Sequence, residues 1–100
     1  MRIGSVVAKI ALPPSSRSYS GHQDWCLWHA RGTCGVCAKR CPAEAISEAG
    51  HDKEKCKAYI REVTAPYAQK TFGTRATSCG LCQVKIPCES RIPPALDPYT

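Results

Sequence analysis

Large apolar side chains are scarce in this sequence, with one Phe, one Met and two Trp among 100 residues. Much of its 43% hydrophobic content is Ala and Cys. A chain this short buries only part of its surface on folding, so so thin a core needs a second source of stability. No stretch approaches the ~18 uncharged apolar residues of a membrane helix, so no membrane span is expected. Eight scattered prolines exclude a long coiled coil. Acidic residues are few, eight against 14 Lys and Arg, for a net charge of +6. No secretion signal is expected, because Lys9 splits the early apolar run and no A-x-A-like cleavage site follows. The chain therefore reads as cytoplasmic. What it has in excess is cysteine, eight residues. In a reducing compartment so many thiols point to metal binding rather than to disulfides.

Residues 2–12 read as a strand, with Val6, Ala8, Ile10 and Leu12 alternating on one face and Pro13-Pro14 ending it. The Pro/Ser-rich stretch that follows reads as a linker, so residues 1–24 form one segment. Pro42 and Gly50 bracket a predicted short helix over 43–49, proline in its first turn and glycine past its end. A second helix is predicted from Asp52, a good N-cap. Cys56, Tyr59, Ile60, Val63 and Tyr67 recur on one of its faces. Pro66 must break or kink this helix, and the pattern ends at Phe72-Gly73. The domain proper spans 25–93, and 94–100 is a tail too rich in proline for a helix interior.

The cysteines read Cys26-x7-Cys34-x2-Cys37-x3-Cys41-Pro42, then Cys56, then Cys79-x2-Cys82-x5-Cys88. Cys34 to Pro42 matches the later part of the C-x2-C-x2-C-x3-C-P run that binds iron–sulfur clusters. Two residues between ligands let the backbone wrap one corner of a cubane, and Gly35 removes a Cβ where the chain must turn. The cysteine before Pro42 is carried away from that loop and suits a second cluster, the rule in two-cluster ferredoxins. Two cubanes need about eight thiolates, the number present. The first cysteine of the run would fall at Arg31, so Cys26 is assigned in its place. The rivals are His29 or a cluster lacking one iron. The two cysteine-rich loops suggest a duplicated half-structure with unequal spacings. Zinc is the alternative from another class: Cys34, Cys37, Cys79 and Cys82 would make a four-thiolate site in a structural or interaction module. The 41 residues between those knuckles exceed a compact ribbon's spacing, and four cysteines are then stranded.

MRIGSVVAKIALPP, CGVCAKRCPAEAISEAGHDKEKC and SCGLCQVKIPCESRIP together resemble the C-terminal two-cluster module of corrinoid-dependent reductases. These are the reductive dehalogenases and epoxyqueuosine reductases, and the resemblance covers roughly residues 2–93. It implies an α+β fold, a small ferredoxin-like two-cluster domain with an N-terminal strand, two or three short helices and cysteine-rich loops. It also implies two [4Fe-4S] clusters that relay electrons to a corrinoid held by another domain or subunit. The implied ligands are Cys26, Cys34, Cys37 and Cys88 for the first cluster, and Cys41, Cys56, Cys79 and Cys82 for the second. Cys82-x5-Cys88, with Pro87 before the cysteine, departs from the plainer C-x3-C-P. The chain is thus expected to be a ferredoxin-like protein or the relay module of a longer reductase, not an enzyme by itself. Cys56 also fits a plain core cysteine.

Trp25 and Trp28 flank Cys26, where they shield a cluster or simply supply core. His22, His29 and His51 lack metal-like spacing and read as surface or packing residues. Ser5, Ser78 and Ser90 lack the partner a nucleophile needs. Two clusters of charge about −2 each shift the chain to about +2, which weakens the nucleic-acid reading of its basicity. Aromatics are not interleaved with the cations as a nucleic-acid face requires. Lys39, Arg40, Lys53, Lys55, Lys57 and Arg61 surround the ligands and suit an acidic redox partner.

Overall fold

The computed structural model describes residues 4–97. It is a small mixed helix-and-strand structure that divides into two compact units. One contains the chain up to Cys34 and again from Pro87; the other is Gly35–Ile86.

In the first unit, residues 4–12 form no strand, which corrects the sequence expectation; residues 2 and 3 lie outside the described residues. The consecutive Val6 and Val7 are 92% and 99% exposed, so no alternation of faces is realised. A strand needs a partner backbone to satisfy its N–H and C=O groups, and alternation alone does not supply one. The polar stretch that follows stays irregular until Ser20–Asp24. There the Asp24 carboxylate accepts from the backbone N–H groups of Ser20 and Gly21, each at 2.9 Å. Cys26, in extended conformation, then precedes α1 (Leu27–Arg31), and Gly32 ends that helix in the left-handed region at φ 66°. Tyr19 meets Trp25 edge to face at 4.5 Å, and Pro93 is fully buried. The tail closes with a 3-10 turn, Pro94–Leu96.

The second unit begins with α2 (Val36–Lys39). The helix expected over 43–49 is instead a turn followed by a hairpin, β1 (Ile46–Ser47) pairing antiparallel with β2 (Gly50–His51). Glu44 takes a positive φ of 49°, which no helix accommodates. The Ala45 amide is drawn to the Cys41 sulfur, 3.4 Å away, rather than to a helical carbonyl. Pro42 and Gly50 suit this turn-and-hairpin as well as they suit a helix.

The second helix starts where expected. Asp52 caps α3 (Lys53–Tyr59), its Oδ1 accepting from the N–H groups of Glu54 and Lys55 at 3.0 Å each. A π turn, Ile60–Thr64, follows and leads into α4 (Ala65–Phe72), with Pro66 in the first turn of α4. Pro66 has no N–H to donate, and the wider π turn absorbs that break without ending the helix. The extra residue delays every later position by one. Val63 and Tyr67, expected on the inner face, are 46% and 62% exposed, and Ala68 is buried in their stead. Gly73 ends α4 at φ 66°. The buried hydrophobic residues among those described are Ala45 and Ala68, so the thin core foreseen from composition is real.

Candidate metal centre

All eight cysteines are half-buried. Two of their loops share one local design. In Cys34-Gly35-Val36-Cys37, Gly35 has φ 89° and immediately precedes α2. In Cys79-Gly80-Leu81-Cys82, Gly80 has φ 83° and precedes the 3-10 turn Leu81–Gln83. Glycine reaches this left-handed region without a Cβ penalty, so each loop turns sharply and places its second cysteine on the helical turn beyond. α2 packs against the 3-10 turn. The Arg40 guanidinium fastens the pair, its Nε donating to the Leu81 carbonyl at 3.0 Å.

From Cys41 to Cys56 the chain is held by a succession of short bonds. The Cys41 N–H donates to the Ala38 carbonyl at 3.1 Å, and its own carbonyl accepts from Glu44 at 3.2 Å. Asp52 N–H donates to the Ala45 carbonyl at 2.7 Å, which closes the hairpin and sets the start of α3. Cys56 sits one turn into that helix. Burial pushes its thiol above the usual range, and Cys41, Cys82 and Cys79 push it in the same direction. The second unit therefore brings Cys41, Cys79 and Cys82 within electrostatic reach of Cys56. The fifth cysteine of this unit, Cys37, lies on α2.

In the first unit Cys26 and Cys88 line one cavity of about 390 Å³, with Trp25, Pro93 and the exposed His22. His29 is not in its lining; its Nε2 lies 3.3 Å from the Gln23 side-chain nitrogen. Cys34 also belongs to this unit. Asp24, held below the usual carboxylate range by the Gly21 and Ser20 amides, braces the turn that leads into Trp25 and Cys26.

The donor set is one of thiols, with a backbone N–H aimed at the sulfur of Cys41. In chemistry it fits a thiolate-bound metal group. Among the described residues, no three His, Cys, Asp or Glu side chains converge closely enough to hold a metal ion. Sequence reasoning saw Arg40 only as a nearby charge; its tie to the Leu81 carbonyl spans 41 positions and leaves no local signal.

No family model matches the chain, and no solved structure matches it. It is similar to an uncharacterised protein in the gldA 3' region of Geobacillus stearothermophilus, 29% identical over 90 residues. That match covers 85% of this chain but 37% of the relative, so the chain spans a little over a third of the relative's length.

Proposed function

We propose that this chain is an electron-transfer module that holds two [4Fe-4S] clusters on its eight cysteines. The observation that carries the reading is that all eight cysteines are half-buried, whereas a single four-thiolate zinc site would use only four of them. Beside it, the Cys56 thiol is pushed up by burial and by Cys41, Cys79 and Cys82, drawn from three separate stretches of sequence. The zinc alternative groups Cys34 and Cys37 with Cys79 and Cys82, a different set. A tetrahedral zinc site also needs its sulfurs about 3.8 Å apart around one point. A cubane is itself several atoms wide, so its ligands stand farther apart.

In this reading Cys41, Cys56, Cys79 and Cys82 hold one cluster, and Cys26, Cys34, Cys37 and Cys88 hold the other. Each cluster, when bound, takes up and releases one electron. The chain supplies the rest. The Ala45 N–H stabilises negative charge on the Cys41 sulfur. Arg40 keeps the two Cys-Gly-x-Cys loops together. The partner that fits the resemblance is a corrinoid-binding reductase domain or subunit. A relative more than twice as long accords with such a module standing beside further domains. Anaerobic reconstitution followed by metal and sulfide assay tests the proposal. About eight irons and eight sulfides per chain are expected. Zinc at one or two per chain without sulfide, at roughly the stoichiometry of thiolate zinc sites, would overturn it.

A further inference from the structure

Beside the helix turn that carries Cys56, the second unit has a cavity of about 410 Å³ whose polar lining is Lys57, Arg61, Arg75 and Thr77 and includes no cysteine. The remaining lining is Ile60, Ala65 and Ala76, and no Asp or Glu borders it. Lys57 belongs to α3 and Arg61 to the π turn, four residues on. Like charges at that spacing on a helix repel each other. Arg75 is added from beyond Gly73, whose left-handed conformation turns the chain at the end of α4. The fold thus gathers three cations around one concavity whose lining includes no acidic side chain. π turns inside helices are found often at functional sites, and this one forms a wall. The volume falls within the ~300–1,000 Å³ of small-molecule pockets, near the lower end.

We propose that this cavity binds a small oxyanion of two or more negative charges, a phosphate or a polycarboxylate. Two guanidinium groups offer paired donors to oxygens, the ammonium a point charge, and Thr77 a hydroxyl. A nucleic-acid strand fits less well, because its backbone is tracked by an extended groove with stacking aromatics, and no aromatic side chain lines this concavity. No thiol lines the cavity, and the proposal does not rest on what the cysteines hold.

The test is calorimetric titration of the anaerobically reconstituted full chain at low ionic strength, with pyrophosphate, citrate and acetate. One saturable site is expected, and pyrophosphate or citrate binds at least about tenfold tighter than acetate; which of the two leads identifies the source of the oxyanion. Arg61→Gln and Arg75→Gln each weaken binding about tenfold. Arg75→Lys keeps the charge but loses the paired donors, and falls between. Arg17→Gln, in the other unit, changes affinity less than about twofold if the effect is local rather than bulk charge. Iron and sulfide are assayed in each variant. Lost anion binding at unchanged cluster content supports the site, and retains its meaning even if the metal proves to be zinc. Two results overturn it: no saturable binding of either polyanion, or equal losses in Arg17→Gln and Arg75→Gln.

Discussion

In the unit Gly35–Ile86 the cysteines sit on or beside regular structure: Cys37 on α2, Cys41 in a bonded turn, Cys56 on a capped helix, Cys82 on a 3-10 turn. In the other unit Cys26 precedes a five-residue helix and Cys88 lies in irregular chain. There the framing comes from an edge-to-face ring pair, a buried proline and one braced turn. The first arrangement satisfies its backbone groups by itself. The second leaves more of its order to whatever fills the cavity between Cys26 and Cys88. If the proposed clusters bind, they complete a site where local hydrogen bonds already set the cysteines, and have to create one where they do not.

Removing the metal is the harshest way to probe that contrast. Buried apolar residues are too few to offset chain entropy, so the chelated, reduced protein is expected to lose most of its far-ultraviolet circular dichroism. Hydrogen exchange sharpens the comparison. Residual protection is expected in the continuous helical run 53–72 and none around 20–34 or 87–97. A cooperative thermal transition in the metal-free protein would contradict this account.

The next largest effect separates the two expected clusters. Cys41→Ala should damage the cluster of Cys56, Cys79 and Cys82, and Cys88→Ala the cluster of Cys26, Cys34 and Cys37. Each loses about half the iron of the parent protein. Cys41 is followed not by a helix begun by Pro42 but by the bonded turn 41–45, and its thiol is among those that push the Cys56 thiol up. Electron paramagnetic resonance of the reduced variants reads the outcome against Cys34→Ala and Cys79→Ala references. If Cys41→Ala matched Cys34→Ala, the crossed arrangement would be wrong.

These two experiments rest on features of different legibility. The Asp52 cap and the Gly73 stop were readable because their chemistry is local, a carboxylate two and three residues from its amides and a glycine at positive φ. The hairpin at 46–51 was misread as a helix because proline and glycine punctuate both. The π turn was legible only as a break or kink at Pro66: nothing in the periodicity of Cys56, Tyr59 and Ile60 announces the extra residue that exposes Val63 and Tyr67. The absent N-terminal strand shows the limit of alternation, which names a face but not a partner. The cysteine spacings are the ground of the proposed thiolate ligation. The company each thiol keeps depends on contacts far apart in sequence, such as Arg40 to Leu81, which spacing does not encode.

The smallest effects concern the two carboxylates that brace the units, Asp52 in one and Asp24 in the other. Asp52→Ala removes a helix cap and should cost about 1 kcal/mol. In a domain this size that lowers the thermal midpoint by roughly 4–8 °C. Gly21→Ala tests the Asp24 turn more gently. A Cβ on Gly21 would come within 2.8 Å of Asp24 Oδ1, a carboxylate already held by the Ser20 and Gly21 amides. The side-chain end can shift, so the expected loss is modest, about 0.5 kcal/mol. A double-mutant cycle isolates the cause. In an Asp24→Ala background the crowding disappears, and Gly21→Ala should then cost almost nothing. If it cost the same in both backgrounds, the glycine would be there for the backbone rather than for the carboxylate, and Asp24 would not be what braces the approach to Cys26.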